Sequence, residues 1–272
     1  MKKEERNIYK QKAIDLYTNK QLSMNKIAQQ LGISDSTVKK FLTEENIEIR
    51  KKRVSYDVKE NLFNTIKTEE DAYWLGLLYA DGNVSSKGYG IELDLKEEDQ
   101  YLVEQFREYC GVTKPLSKHV IKRNNKEYIS YRCNFANEDC HKNLIEKGCL
   151  SAKSLILKCP TKEQVPDNLL LPFIRGYCDG DGYVRWEEIR HKEIVLLGTQ
   201  DFLEGIIKRM KWQNIAHVRP DGKSKNFRLE IWRMNDVYNV LSLLYKDAKL
   251  CLKRKQMVYF RAQEYMEQRQ PM

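Results

Sequence analysis

With 272 residues, 41% of them hydrophobic and 32% charged, the chain has the composition of a protein with a sizeable core and not of a disordered one. Its formal charge of +9 favours a polyanionic partner, nucleic acid before membrane. The opening MKKEERNIYKQ lacks the apolar core of a secretory leader, no apolar run nears the ~18 residues of a membrane span, and none of the seven cysteines forms a C-x-x-C pair; the expectation is a cytoplasmic protein with reduced thiols.

In chain order, residues 6–18 carry Ile8, Ala13, Ile14, Leu16 and Tyr17 in a loose helical pattern. LSMNKIAQQLGISDSTVKKFLTEE (22–45) then predicts two helices. Met24, Ile27, Ala28 and Leu31 make one apolar face, capped by Ser23 and ended by Gly32. Ser34 caps the second, whose inner face is Val38, Phe41 and Leu42. Helix, glycine turn, helix is a helix-turn-helix pattern, and IAQQLGISDSTVKKFL resembles the helix-turn-helix domains of resolvases and small regulators. That resemblance places Asp35, Ser36, Lys39 and Lys40 at the DNA, with the two lysines on phosphates. Residues 1–53 hold 13 Lys+Arg against 7 Asp+Glu, so +6 of the total +9 lies here. Arg50, Lys51, Lys52 and Arg53 begin a basic linker able to track phosphates.

One phrase is then written twice: WLGLLYADG (74–82) and IRGYCDGDG (174–182). Thr68 and Asp71 have capping-box spacing ahead of the first copy, and Pro172 suits the first turn of the second. Both predicted helices are apolar nearly all round, so each is buried on most sides. Gly76 and Gly176 occupy matching middle positions, where glycine costs ~1 kcal/mol and close helix–helix approach is the reason to keep it. Packed glycine to glycine, the helices bring Asp81 and Asp181 side by side at two negative helix ends. Such a pair repels itself unless a divalent cation lies between, and Mg2+ suits two hard oxygen donors.

These stretches resemble the paired motifs of single-chain LAGLIDADG homing endonucleases, over roughly residues 68–268. Asp81 and Asp181 align with the metal-binding acid of that motif; Asp179 fills the earlier acidic position in the second copy, and Tyr79 replaces it in the first. The flanks agree. YGIELDL (89–95) alternates as a strand and EIVLLG (193–198) reads as another, each followed by an amphipathic helix. EYISYRCNF (127–135) and NFRLEIWRM (226–234) are further strands, preceded by basic turns KHVIKRNNK and RPDGKSKN. The expected fold is therefore α+β: a duplicated αββαββα saddle behind a small all-α helix-turn-helix domain. The expected organisation is 1–50 helix-turn-helix, 51–67 linker, 68–150 repeat one, 151–166 linker and 167–268 repeat two. A closing helix is expected over 244–260, its cations toward DNA.

The resemblance also implies roles. The partner is a long double-stranded DNA target, pseudo-palindromic or asymmetric, bound by a monomer because both copies lie in one chain. Sheet and turn residues facing DNA are Lys87, Tyr89, Glu92, Asp94, Lys122, Arg123, Arg132, Arg185, Arg190, Lys192, Lys223, Lys225 and Arg228. The cofactor is Mg2+, with Mn2+ as a substitute, held by Asp81 and Asp181 and by the carbonyls of Ala80 and Gly180. A water-organising polar residue would be Asp94 in one half and Thr199 or Gln200 in the other. The basic group near the scissile phosphate would be Arg233 in half two, with Asn137 or Arg132 in half one; no clear lysine stands at either place. The leading function is a site-specific endonuclease that makes a staggered double-strand break. The alternatives are a non-cleaving regulator, which the helix-turn-helix suggests, and an RNA maturase on the same fold.

Overall fold

The computed structural model describes residues 3–49, 57–123, 126–188, 191–222 and 224–269. The chain divides into two compact units, Met1–Ser55 and Tyr56–Met272. In the first, helices α1 (Lys3–Thr18), α2 (Met24–Leu31) and α3 (Asp35–Glu44) enclose a small core built on Ala13, Ile27, Val38, Phe41 and Leu42. Ser23 accepts a hydrogen bond from the Lys26 amide and Ser34 one from the Thr37 amide, each satisfying a donor that a first helical turn leaves unpaired. Gly32 ends α2 at φ 65°, in the left-handed region where a Cβ is costly. Ser36, Lys39 and Lys40 are exposed on α3. Arg50, Lys51, Lys52 and Arg53 lie outside the described residues.

The second unit repeats one plan. Its first half runs α4 (Glu69–Ala80), β1 (Gly82–Val84), β2 (Gly90–Lys96), α5 (Gln100–Tyr109), β3 (Ser117–Arg123), β4 (Lys126–Ala136) and α6 (Glu138–Glu146). The other half runs α7 (Leu170–Asp181), β5 (Gly182–Trp186), β6 (Lys192–Gly198), α8 (Gln200–Met210), β7 (His217–Pro220), β8 (Phe227–Ile231) and α9 (Met234–Tyr245), followed by α10 (Lys253–Glu267). Each half thus has the expected αββαββα order. Its strands form an antiparallel sheet, β1-β2-β4-β3 in one half and β5-β6-β8-β7 in the other. Alternation gives each sheet two faces: in β2, Ile91, Leu93 and Leu95 are buried, while Glu92 and Asp94 lie opposite. The buried faces join α4, α7 and the flanking helices in one continuous core. The capping box is present, with the Thr68 side chain on the Asp71 amide and the Asp71 carboxylate on the Thr68 amide.

Three expectations need correction. KHVIKR is not a turn: it is most of β3, an outermost strand with only β4 beside it, so it needs no apolar alternation and can carry a row of cations. The strand expected over 226–234 stops at Ile231, because Met234 already opens α9. The single closing helix expected over 244–260 is interrupted; α9 ends at Tyr245 and α10 begins at Lys253. No helix among the described residues is long and apolar enough to cross a membrane.

Candidate active site

The contact between α4 and α7 is the most extensive of any two elements. Its closeness rests on two glycines. A Cβ on Gly76 would stand 2.0 Å from the Phe173 carbonyl oxygen, and one on Gly176 would stand 2.0 Å from that of Tyr73. Each glycine therefore seats the opposite helix's backbone, where no side chain fits. The approach persists to the C-termini: a Cβ on Gly180 would meet Ala80 Cβ at 2.3 Å and Asp81 Oδ2 at 3.0 Å. The Asp81 carboxylate thus leans over Gly180, one residue from Asp181. Gly182 is the C-cap of α7 and Gly82 directly follows the C-cap of α4. Neither is left-handed; both start a strand, and an added Cβ would collide with the carbonyl four residues back, that of Leu78 at 2.6 Å or of Cys178 at 2.3 Å.

Among the described residues neither carboxylate has a hydrogen-bond or ion-pair partner. Burial, and then the charge of Asp181, push the Asp81 carboxyl up to about 6, with Lys255, Lys153 and Arg254 pulling it back. Burial raises Asp181 as well, again opposed by Lys153 and Lys255. Asp81 nonetheless keeps an exposed side. The site is a pit whose walls desolvate the acids and whose mouth is open. Beside Asp181 is a cavity of about 120 Å³ lined by Ala80, Lys153, Tyr177, Leu197 and Asn226. The larger cleft of about 630 Å³ beside Trp186 and Tyr265 includes neither acid.

These residues fit a hard divalent cation. Two unpartnered carboxylates at abutting negative helix ends leave charge that such an ion would balance. Among the described residues no cluster of three or more His, Cys, Asp or Glu side chains forms a ligand set. The two acids would be completed by oxygen from the backbone, water or a phosphate, and the carbonyls of Ala80 and Gly180 end the same two helices.

Asp179, the other acid of the second motif, has a different environment. It is 1% exposed and accepts from the Tyr73 hydroxyl at 2.8 Å, the Tyr245 hydroxyl at 2.8 Å and the Leu252 amide at 2.7 Å. Burial raises its pKa, and those donors oppose the rise. This carboxylate ties α4, α7, α9 and the start of α10 together. Tyr245→Phe should leave it short of a donor and cost about 1–3 kcal/mol in urea unfolding; an unchanged midpoint would mean the network is not needed.

Two cations beside the acids were not found by sequence reasoning. Lys153 Nζ donates to the Gly82 carbonyl, and Lys255 Nζ donates to those of Cys178, Asp179 and Gly182. Lys255, expected on a DNA-facing helix, is instead 3% exposed, and burial lowers its pKa. A signal was present, because CLSAK (149–153) and CLKRK (251–255) repeat one another.

Strand register revises the other assignments. Gly82 pairs with Leu93 and Asp94 with Arg132; Gly182 pairs with Leu196 and Leu197 with Arg228. The counterpart of Asp94 is therefore Leu197, not Thr199 or Gln200. Thr199 caps α8, and Gln200 bonds to Glu204 at 2.7 Å. Arg233 directly precedes α9, without a side-chain cap hydrogen bond, beyond Ile231 and at the opposite end of β8 from the Leu197–Arg228 pair. Asn137 caps α6. Arg132 and Arg228 hold the matching positions on the open sheet faces. Arg132 binds Asp94 at 2.7 Å and Glu92 at 3.1 Å, and Arg228 binds Glu230 at 2.8 Å. Arg185, on the same face of β5 as Tyr183, pairs with Glu187. Lys122, Arg123 and Lys225 are exposed. Lys192 points elsewhere: its ammonium donates to the Glu187 and Glu188 carbonyls and lies over Trp186 and Tyr265, against α10. Arg190 and Lys223 lie outside the described residues.

No family model and no curated protein matches the sequence. Among solved structures, the homing endonuclease I-WcaI bound to its DNA recognition sequence matches with a TM-score of 0.54 at 15% identity, over 72% of this chain and 87% of that one. Full-length DUF199/WhiA from Thermatoga maritima matches at 0.47 and 16% identity, over 78% of this chain and 66% of that one. The I-SmaMI LAGLIDADG homing endonuclease bound to cleaved DNA matches at 0.43 and 11% identity, over 75% and 89%. The chain has the LAGLIDADG fold, carried by the paired motif helices and the two four-stranded sheets. The likeness is one of fold; at these identities it does not extend to activity.

Proposed function

We propose that the chain is a metal-dependent, site-specific endonuclease that cuts double-stranded DNA with a staggered break, one strand at Asp81 and the other at Asp181. The observation that carries this reading is the pair of unpartnered carboxylates at the abutting ends of α4 and α7. A structural role would favour neutral or cationic groups at those ends. Mg2+, or Mn2+ in its place, would be held by the two carboxylates with the Ala80 and Gly180 carbonyls. It would activate water and stabilise the leaving oxygen. The glycine-seated helix pair would hold the acids in place before DNA binds, which favours positioning. The open sheet faces supply Arg132, Arg185 and Arg228, and β3 supplies Lys122 and Arg123, for groove and phosphate contacts. The first unit adds Ser36, Lys39 and Lys40 as a second DNA contact. The two halves differ beside the acids, with Asp94 and Arg132 in one and Leu197 and Arg228 in the other.

The test is cleavage of a randomised DNA library in Mg2+ and Mn2+. One long preferred site is expected, with a nicked intermediate preceding the linear product because the halves are unequal. Selective binding without cleavage in either metal would turn the assignment to a regulator, the reading that the three-helix first unit favours. Selective binding of structured RNA alone would turn it to a maturase.

A further inference from the structure

Away from the acids, a cavity of about 360 Å³ opens between the start of α7 and the end of α9. Leu171 and Pro172 line it from α7, and Leu243 and Lys246 line it from the end of α9. Arg175 lines it as well and is only 6% exposed. A guanidinium has five N–H donors. Among the described residues this one makes a single hydrogen bond, from Nη1 to the Leu244 carbonyl at 3.3 Å. Its Nε is buried without an acceptor, and Nη2 has only the Glu69 carboxylate at 3.7 Å. The Tyr73 ring lies 5.9 Å from Cζ and offers no oxygen in the guanidinium plane. A buried charge this short of acceptors is costly. Glu69 is a loose counter-ion: its side chain is 74% exposed, and the contact is longer than a hydrogen bond.

We propose that this cavity binds a small organic oxyanion, a carboxylate or a phosphate monoester, with Arg175 as the group that receives it. The unmet demand of Arg175 is for acceptor oxygen, and a planar guanidinium offers paired donors to either group. Lys246 adds a second cation, exposed and without an ion-pair partner among the described residues. The start of α7 adds the positive end of a 12-residue helix. Glu69 and Asp247 also line the cavity and oppose an anion, but both are exposed, so water solvates them as it cannot solvate Arg175. Glu69 holds the anion's place and turns out to water when the ligand enters. The cavity has room for far more than a bare ion, and Leu171, Pro172 and Leu243 give it apolar walls, so the ligand carries an organic body. Arg175 precedes Asp181 by about 9 Å along α7. The site is separate from the acid pair, and the inference does not rest on the metal-site reading.

Calorimetric titration of the full chain with phenyl phosphate and with benzoate, in EDTA and at constant ionic strength, tests this. At least one of the two is expected to bind one-to-one and to raise the thermal midpoint as its concentration rises. Binding of phenyl phosphate alone marks a phosphate monoester site, and binding of benzoate alone a carboxylate site. Arg175→Met should weaken binding by at least ~10-fold, the scale of a lost hydrogen bond to a charged group. Lys246→Ala should weaken it by about 3-fold, as suits an exposed cation. Glu69→Gln should act the other way and tighten binding by about 3-fold, because it removes the competing carboxylate. A merely structural Arg175–Glu69 pair would give no such gain in affinity. Binding of neither ligand beyond a sodium chloride control, or binding that Arg175→Met leaves unchanged, would overturn the proposal. If Arg175→Met does not fold, Glu69→Gln and Lys246→Ala decide: opposite changes in affinity support the site, and changes of one sign or none overturn it. No cleavage is read, so the result stands apart from the endonuclease reading.

Discussion

Asp81→Asn and Asp181→Asn are each expected to stabilise the metal-free protein at neutral pH while reducing cleavage of one DNA strand by at least ~10²-fold, the loss typical when a group acting on the transition state is removed. The stability half follows from the raised carboxyl of Asp81, about 6 where an exposed aspartate titrates near 4. An acid whose pKa is higher in the folded state favours folding when protonated. That contribution is full below about pH 4 and is lost as pH rises through about 6. At pH 7 the ionised Asp81 therefore opposes folding, and asparagine removes the opposition. One pKa unit corresponds to about 1.4 kcal/mol, but the open side of Asp81 screens the effect, so a net gain of about 1 kcal/mol is expected. Melting curves at pH 5 and pH 8 would show the gain only at the higher pH. Strand-specific end labels would show nicked product for each single variant. Destabilised variants that still cut both strands would make the acids structural.

The glycine pair should give the largest stability effect. In Gly76→Ala or Gly176→Ala the new methyl would stand 2.0 Å from a carbonyl oxygen of the facing helix. That oxygen belongs to a buried helix, so the two helices must separate. Alanine gains up to ~1 kcal/mol in helix propensity, but forcing the interface apart costs more, and a net loss of about 2–4 kcal/mol is expected. Gly90→Ala is the control, since its methyl would meet only Ser85 Cβ at an ordinary 3.5 Å. Urea midpoints for the three variants decide the matter; a neutral result at Gly76 would mean that the helices are not held at this distance. Cleavage should fall together with stability in the Gly76 and Gly176 variants, because the same separation spreads the acid-bearing ends.

Much of this fold can be read locally. Ser23, Ser34 and Thr68 cap helices because each hydroxyl needs only an amide three residues away. The motif helices announce themselves by apolar residues on all sides, and their central glycines by a cost that only close packing explains. The cation-rich β3 was obscure for a local reason too: an outermost strand with exposed faces lacks the alternation that marks a half-buried one. Gln200 and Arg233 lie past the ends of their strands, at the starts of α8 and α9, because position along a chain gives neither where a strand ends nor its register across a sheet. The hydrogen bonds of β6 to β8 put Leu197, not Gln200, opposite Arg228. A single-residue slip changes which side chains share a face.

The sequence by itself determined that two buried helices exist, that each carries a glycine at its centre, and that each ends in an aspartate and a glycine. These features depend on helical period and on neighbours within a few residues. Only the tertiary structure decided what surrounds the acids. Lys153 reaches Gly82 across 71 positions and Lys255 reaches Gly182 across 73. Asp179 is held by Tyr73 from 106 positions away. Such partners are chosen by packing of a common core, and no local period records them.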